Sequence, residues 1–114
     1  MKAVILALVA TVFLSSTTTI AFAESGNDLL RECSKKAGSN ADGYCHGFIW
    51  GTLHGVNEAT IRAQEKKYVC IPQGVTISQL TRLTKKYLEE NPQKLHLLAS
   101  TLIVNAVTTA YPCR

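Results

Sequence analysis

The sequence predicts an all-α protein: a small disulfide-linked bundle of about four helices that follows a cleaved signal peptide. Three observations lead there. Apolar residues recur at three- and four-residue steps in four separate stretches, which is the spacing of one helix face. Helix-start and helix-stop residues punctuate those stretches. All four cysteines, Cys33, Cys45, Cys70 and Cys113, lie beyond an N-terminal leader pattern, and oxidised cysteines are a common support for small exported domains.

The leader comes first. Met1-Lys2, an apolar run from Ala3 to Leu14, a Ser/Thr-rich stretch and Ala21-Phe22-Ala23 have the layout of a secretory signal peptide cut after Ala23. An uncleaved anchor fits less well, because the strongly apolar part is about half of the roughly 20 residues that span a bilayer. Residues 24–114 are then a single helical domain. Loss of Lys2 lowers the formal charge from +4 to +3. The basic residues are scattered, paired only at Lys35-Lys36, Lys66-Lys67 and Lys85-Lys86, and aromatic residues do not interleave with them as a base-stacking groove requires. Solvated helix faces account for them better than nucleic acid does. No membrane contact is expected after cleavage.

A first helix is expected over about 28–37, with Leu29, Leu30, Cys33 and Ala37 on one face, Gly26-Asn27-Asp28 at its start and Gly38 just past its end. Asp42 is the expected cap of a second helix over about 43–66. That helix carries Gly47, Gly51 and Gly55 at i, i+4 and i+8, a bare stripe. Each glycine costs about 1 kcal/mol relative to alanine, so close packing of another helix is the expected compensation, and a dimer seam is the alternative. A lipid-buried motif is excluded by Asn57, Glu58 and Arg62. Tyr44, Phe48, Ile49, Leu53, Val56 and Ala59 are expected to supply core. Trp50 is expected as partly buried core, with an exposed partner anchor as the alternative.

After the longest connection, Thr76-Ile77-Ser78-Gln79 fits a capping box and starts a third helix. Leu80, Leu83, Tyr87 and Leu88 form its apolar face. Asn91-Pro92 ends it and opens a fourth, with Asn91 as N-cap and Pro92 in the first helical position. Leu95, Leu98, Ala99, Leu102, Ile103, Ala106, Val107 and Ala110 make a face wide enough for the middle of a bundle, and Tyr111-Pro112 closes it.

Four cysteines allow three pairings. If the four helices alternate in direction, the end of the first and start of the second share one pole, and the ends of the second and fourth share the other. That favours Cys33–Cys45 and Cys70–Cys113. For chemistry the chain offers little. His46, His54 and His96 form no metal spacing with one another or with paired cysteines. His46 and His54 stand eight residues apart, about 80° out of register on a helix. Cys45-His46 cannot act as thiolate and base if Cys45 is oxidised, and adjacent Glu89 and Glu90 do not face each other. Phosphate loops, nucleophile elbows and zinc-protease motifs are missing. The reading is of a binding protein with no catalytic residue, metal or cofactor.

Gly26-Asn27-x-Leu29 to Cys33, Cys45-x-Gly47-Phe48-Ile49-x-Gly51, Cys70-Ile71-Pro72-x-Gly74-Val75-Thr76-x-x-Gln79-Leu80, Tyr87-Leu88-x-x-Asn91-Pro92 and Ala110-Tyr111-Pro112-Cys113 together resemble the Rap/Tai family of type VI secretion immunity proteins, over nearly all of the mature chain. The resemblance implies a periplasmic helical homodimer that occludes the cleft of a peptidoglycan amidase effector and performs no catalysis itself. Its matching residues specify scaffold, so they support fold more than function. The contact surface is placed on Lys66, Lys67 and Tyr68, where an aromatic body joins charge on a segment pinned by Cys70. The plainer alternative is that Tyr68 covers the bundle end. Two other functions compete: a periplasmic acid-stress chaperone, which should open as carboxylates and histidines protonate, and an enzyme that uses His46 or His54.

Overall fold

Ser25 and Asp28 begin the first helix between them. The Ser25 hydroxyl accepts from the Asp28 backbone N–H at 3.3 Å, and the Asp28 carboxylate accepts from the Ser25 N–H at 3.2 Å. In the computed structural model, which describes residues 24–114, this capping box starts α1 at Gly26–Cys33. The leader and its cut after Ala23 lie outside the described residues. The helix is therefore earlier and shorter than the 28–37 expected, because the cap lies at Ser25 and the helix ends at Cys33, with Ser34 as C-cap.

The second helix, α2, spans Asn40–Arg62. Its cap is Ser39 and not Asp42: the Ser39 hydroxyl accepts from the Asp42 N–H at 3.2 Å, while the Asp42 carboxylate accepts from the Gly38 N–H at 2.8 Å. It stops four residues before the expected 66. Gln64 takes φ 55°, its N–H donates to the Ile61 carbonyl, and the Glu65 N–H donates to Thr60. That is a Schellman stop with glutamine where glycine is usual.

Ile77–Glu90 forms α3, started by the Thr76–Gln79 capping box. Asn91 then departs from its expected role. Its side-chain amide donates backward to the Tyr87 carbonyl at 2.8 Å, so the side chain closes α3; Asn91 still holds the N-cap position of the next turn, where its carbonyl accepts from the Lys94 N–H at 2.9 Å, but its side chain makes no capping bond there. Pro92–Lys94 makes a single 3₁₀ turn, and α4 begins only at Ala99, running to Ala110. The continuous 92–110 helix is interrupted by a tertiary pairing. The Gly26 and Asn27 amides, unsatisfied within their own helix start, donate to the Leu97 and Leu95 carbonyls at 2.9 Å each, and the Ala99 amide donates to Glu24 at 2.8 Å. The Leu95 and Leu97 carbonyls thereby serve α1 in place of helix bonds. Gly26 permits this approach: a Cβ there would collide with the Leu102 side chain and lie 3.0 Å from the Leu95 carbonyl oxygen.

Every pair of helices is in contact. The core runs along α4, which buries Ala99, Leu102, Ile103, Val104, Ala106 and Val107 against Leu29 of α1, Cys45, Ile49 and Leu53 of α2, and Leu80 and Leu88 of α3. Val69, from the α2–α3 connection, joins the same cluster. Tyr44 and Ala59 were expected in this core and are exposed, while Phe48 and Val56 are only partly buried. On α3 the sequence pattern passes over two buried residues, Thr81 and Thr84, whose hydroxyls have no hydrogen-bond partner among the described residues. Two disulfides join the bundle's ends, Cys33–Cys45 beside the α1–α2 loop and Cys70–Cys113 between the connection and the C-terminus. In the chain-entropy model their 12- and 43-residue separations are worth about 3 and about 4 kcal/mol.

Candidate functional site: an exposed aromatic face beside a pinned loop

The residues between α2 and α3 are held at one end and free at the other. From Ile61 to Tyr68 every residue is exposed; Val69 then enters the core and Cys70 is bridged to Cys113. The Cys113 sulfur also lies 3.4 Å from the Tyr68 carbonyl, a contact and not a hydrogen bond, since a bridged sulfur carries no proton. Pro72 to Val75 forms a tight turn with Gly74 at φ +89° and the Val75 amide on the Pro72 carbonyl. The loop therefore has little freedom left near its base, and holding it against a partner costs correspondingly little entropy.

Lys66, Lys67 and Tyr68 all reach solvent, and Tyr68 is 57% exposed. Neither lysine takes part in an ion pair among the described residues. Tyr68 forms one wall of a hollow of about 320 Å³ completed by Val56, Ser100, Thr101, Val104 and Asn105.

Trp50 is 47% exposed, so the partly buried role expected for it does not hold. Its ring meets His54 edge-on at 4.3 Å between centroids. It stands between two hollows. One, about 290 Å³, runs between α2 and the Ile71–Val75 turn; the other, about 310 Å³, is lined by His46, Gly47, Trp50 and Ile77. A tryptophan this open, backed by a packed helix and a disulfide-pinned turn, is the kind of anchor that dominates protein interfaces. The signal that could have found it is its register: Cys45, Ile49 and Leu53 are buried at four-residue steps, and Trp50, one residue past Ile49, is turned about 100° away from that stripe.

Gly47, Gly51 and Gly55 are also exposed on α2, turned from about 60° to about 140° around the helix from Trp50. A Cβ at any of them would meet nothing within 4 Å among the described residues, so none of the described helices packs closely against the stripe as the internal-packing expectation requires. Tyr44 and Phe48, with ring centroids 5.7 Å apart, flank the stripe. Partial loss of water around the hydroxyl of this otherwise exposed side chain, and then the nearby Glu24 carboxylate, push the Tyr44 hydroxyl above its ordinary pKa.

All four cysteines are bridged, and among the described residues no cluster of three or more His, Cys, Asp or Glu side chains could hold a metal ion. His46 Nδ1 lies 2.8 Å from the Asp42 carbonyl oxygen and 3.4 Å from its carboxylate, a pairing within one helical turn. His54 and His96 are exposed. Among the described residues no helix is long and apolar enough to cross a membrane. What the arrangement offers is area, aromatic anchors and a fixed loop.

No curated protein and no solved structure matches the chain. The family model described as Rap1a immunity proteins matches residues 25–113, which takes in all four helices, both disulfides and the exposed Trp50 and Tyr68. The chain belongs to the Rap1a immunity protein family.

Proposed function

We propose that this chain is an exported, periplasmic immunity protein that binds a peptidoglycan amidase effector of type VI secretion and blocks its cleft. The observation that carries this reading is that two aromatic residues, Trp50 and Tyr68, stand open to solvent, each near the segment pinned by the Cys70–Cys113 bridge, in a chain of the immunity family. Occlusion needs a rigid body with a projecting contact and no chemistry of its own. The two bridges favour an oxidising compartment, and the leader pattern supplies a route to it.

The working unit in this reading is a homodimer whose seam is the Gly47, Gly51 and Gly55 face. Support comes from the energetics of those positions: glycine weakens the helix at each, and none of the described residues uses the space. Lys66, Lys67 and Tyr68, with Trp50, then form the surface presented to the effector.

The test is direct. The mature protein is mixed with a peptidoglycan amidase effector of type VI secretion, and binding and peptidoglycan cleavage are measured. One subunit should bind per effector, cleavage should stop, and Trp50→Ala or Tyr68→Ala should weaken the complex by about 2 kcal/mol, the scale of an interface hot spot. A strain lacking the chain should lyse when that amidase reaches its periplasm. If the amidase stays active at saturating protein, occlusion is wrong; if both alanine variants bind as well as wild type, the surface is wrong.

A further inference from the structure

Where the end of α1, the first turns of α2 and the flank of α3 meet, beside the Cys33–Cys45 bridge, the surface sinks into a cleft of about 460 Å³. Lys35, Arg82 and Lys85 line it from two separate parts of the chain, together with Asp42, His46 and Thr81. Its charges do not balance. Lys35 and Arg82 have no acidic partner among the described residues, and Lys85 has only a loose 3.8 Å pairing with Glu89. Asp42 is the sole acidic lining residue, and it is already engaged, accepting from the Gly38 N–H at 2.8 Å and lying 3.4 Å from His46. Thr81 is only 8% exposed, and its hydroxyl lacks a partner.

The cleft also has a neighbour. His46 lines both it and the hollow on one side of Trp50, so the cationic cleft and the aromatic face share a wall. A ligand lying across that wall would meet an apolar surface on one side and unmatched positive charge on the other.

We propose that the cleft receives an acidic side chain of a protein partner that rests an apolar group on Trp50. Charge complementarity selects the carboxylate, because three cations converge on a volume whose one carboxylate is occupied. Continuity with the Trp50 face selects a protein as its source, because a segment of chain can span both surfaces at once. The inference rests on the reading of this chain as a protein-binding module, and it specifies which surface chemistry the partner must bring.

The test uses the mature oxidised protein, isotope-labelled, titrated with a blocked tri-glutamate peptide, its tri-glutamine counterpart and inorganic phosphate. The glutamate peptide should move the amides of residues 35–37 and 78–85 saturably, and the glutamine peptide should not. The response should fade as salt rises from about 0.02 M to about 0.3 M, where screening shortens the reach of exposed charge. Arg82→Glu with Lys85→Glu should weaken it by about tenfold; Lys66→Gln with Lys67→Gln should leave it intact, and circular dichroism checks that both variants fold. Equal response to glutamine, or equal loss in the Lys66 and Lys67 variant, would overturn the cleft as a specific site. Saturation by phosphate without response to the peptide would overturn the protein carboxylate as its occupant. A chain that takes the peptide in the cleft yet binds no amidase keeps this inference and loses the effector assigned above.

Discussion

Replacing Gly47, Gly51 and Gly55 together by alanine should make the isolated subunit more stable and its association weaker. The magnitude follows from the surroundings. All three sit inside α2 on its exposed face, and an added Cβ meets nothing within 4 Å at any of them. With no steric penalty to set against it, each substitution should recover most of the helix-propensity difference, about 0.8 kcal/mol. The three share no partner, so the gains should add to about 2 kcal/mol, which for a domain of this size raises Tm on the order of 10 °C. Thermal unfolding followed by circular dichroism at micromolar concentration reads the subunit; sedimentation at rising concentration reads the dimer, in which each new methyl would stand between two backbones. Gly26→Ala is the internal contrast. There the Cβ collides with Leu102 and crowds the Leu95 carbonyl, and overpacking should cost about 1–3 kcal/mol. A triple variant that loses stability independently of protein concentration would refute the reasoning, since it would mean that the glycines pack within their own chain.

Gln64→Gly should stabilise the fold by about 0.5–1 kcal/mol, because glycine enters the left-handed region that Gln64 occupies at φ 55° without the side-chain penalty; a lower urea midpoint would show that the glutamine side chain contributes a contact. Thr84→Val should gain about 1 kcal/mol by removing a fully buried hydroxyl that has no partner, read as a higher urea midpoint at unchanged slope, whereas destabilisation would mean that the hydroxyl is bonded. The Ser25 hydroxyl and amide, and then Arg31, hold the Asp28 carboxylate below its ordinary pKa, so its contribution is present above the unfolded aspartate value and lost as pH falls through the lower folded one. Asp28→Asn should therefore be less stable than wild type at about pH 6, with the gap closing by about pH 2; a gap that stays constant with pH would assign the effect to shape and not charge.

Local instructions were readable in the chain and tertiary ones were not. Thr76 and Gln79 are three residues apart, and the hydrogen bonds that start α3 run between them, so that helix start could be read without knowing what surrounds it. The apolar residues of α4 from Ala99 to Val107 likewise announce a buried helix by their spacing. By contrast, nothing near Pro92 says that the Leu95 and Leu97 carbonyls will be taken by Gly26 and Asn27 from the other end of the domain. That remote pairing decides where α4 begins. The stop of α2 at Gln64 was hidden because the residue there is not the glycine that usually marks such a turn.

The same division runs through the binding face. By itself the sequence determined an all-α fold, the Thr76 cap, the three-glycine stripe and the charge of Lys66 and Lys67, all of which depend on residues within a turn or two of one another. Only the tertiary structure decided which way α2 faces. Once Cys45, Ile49 and Leu53 are committed to the core against α4, geometry turns Trp50 and the glycines outward, and the stripe that could have seated another helix is left open by the described residues. Periodicity tells how residues are grouped around a helix; which group meets water is fixed by what the rest of the chain brings to the other side.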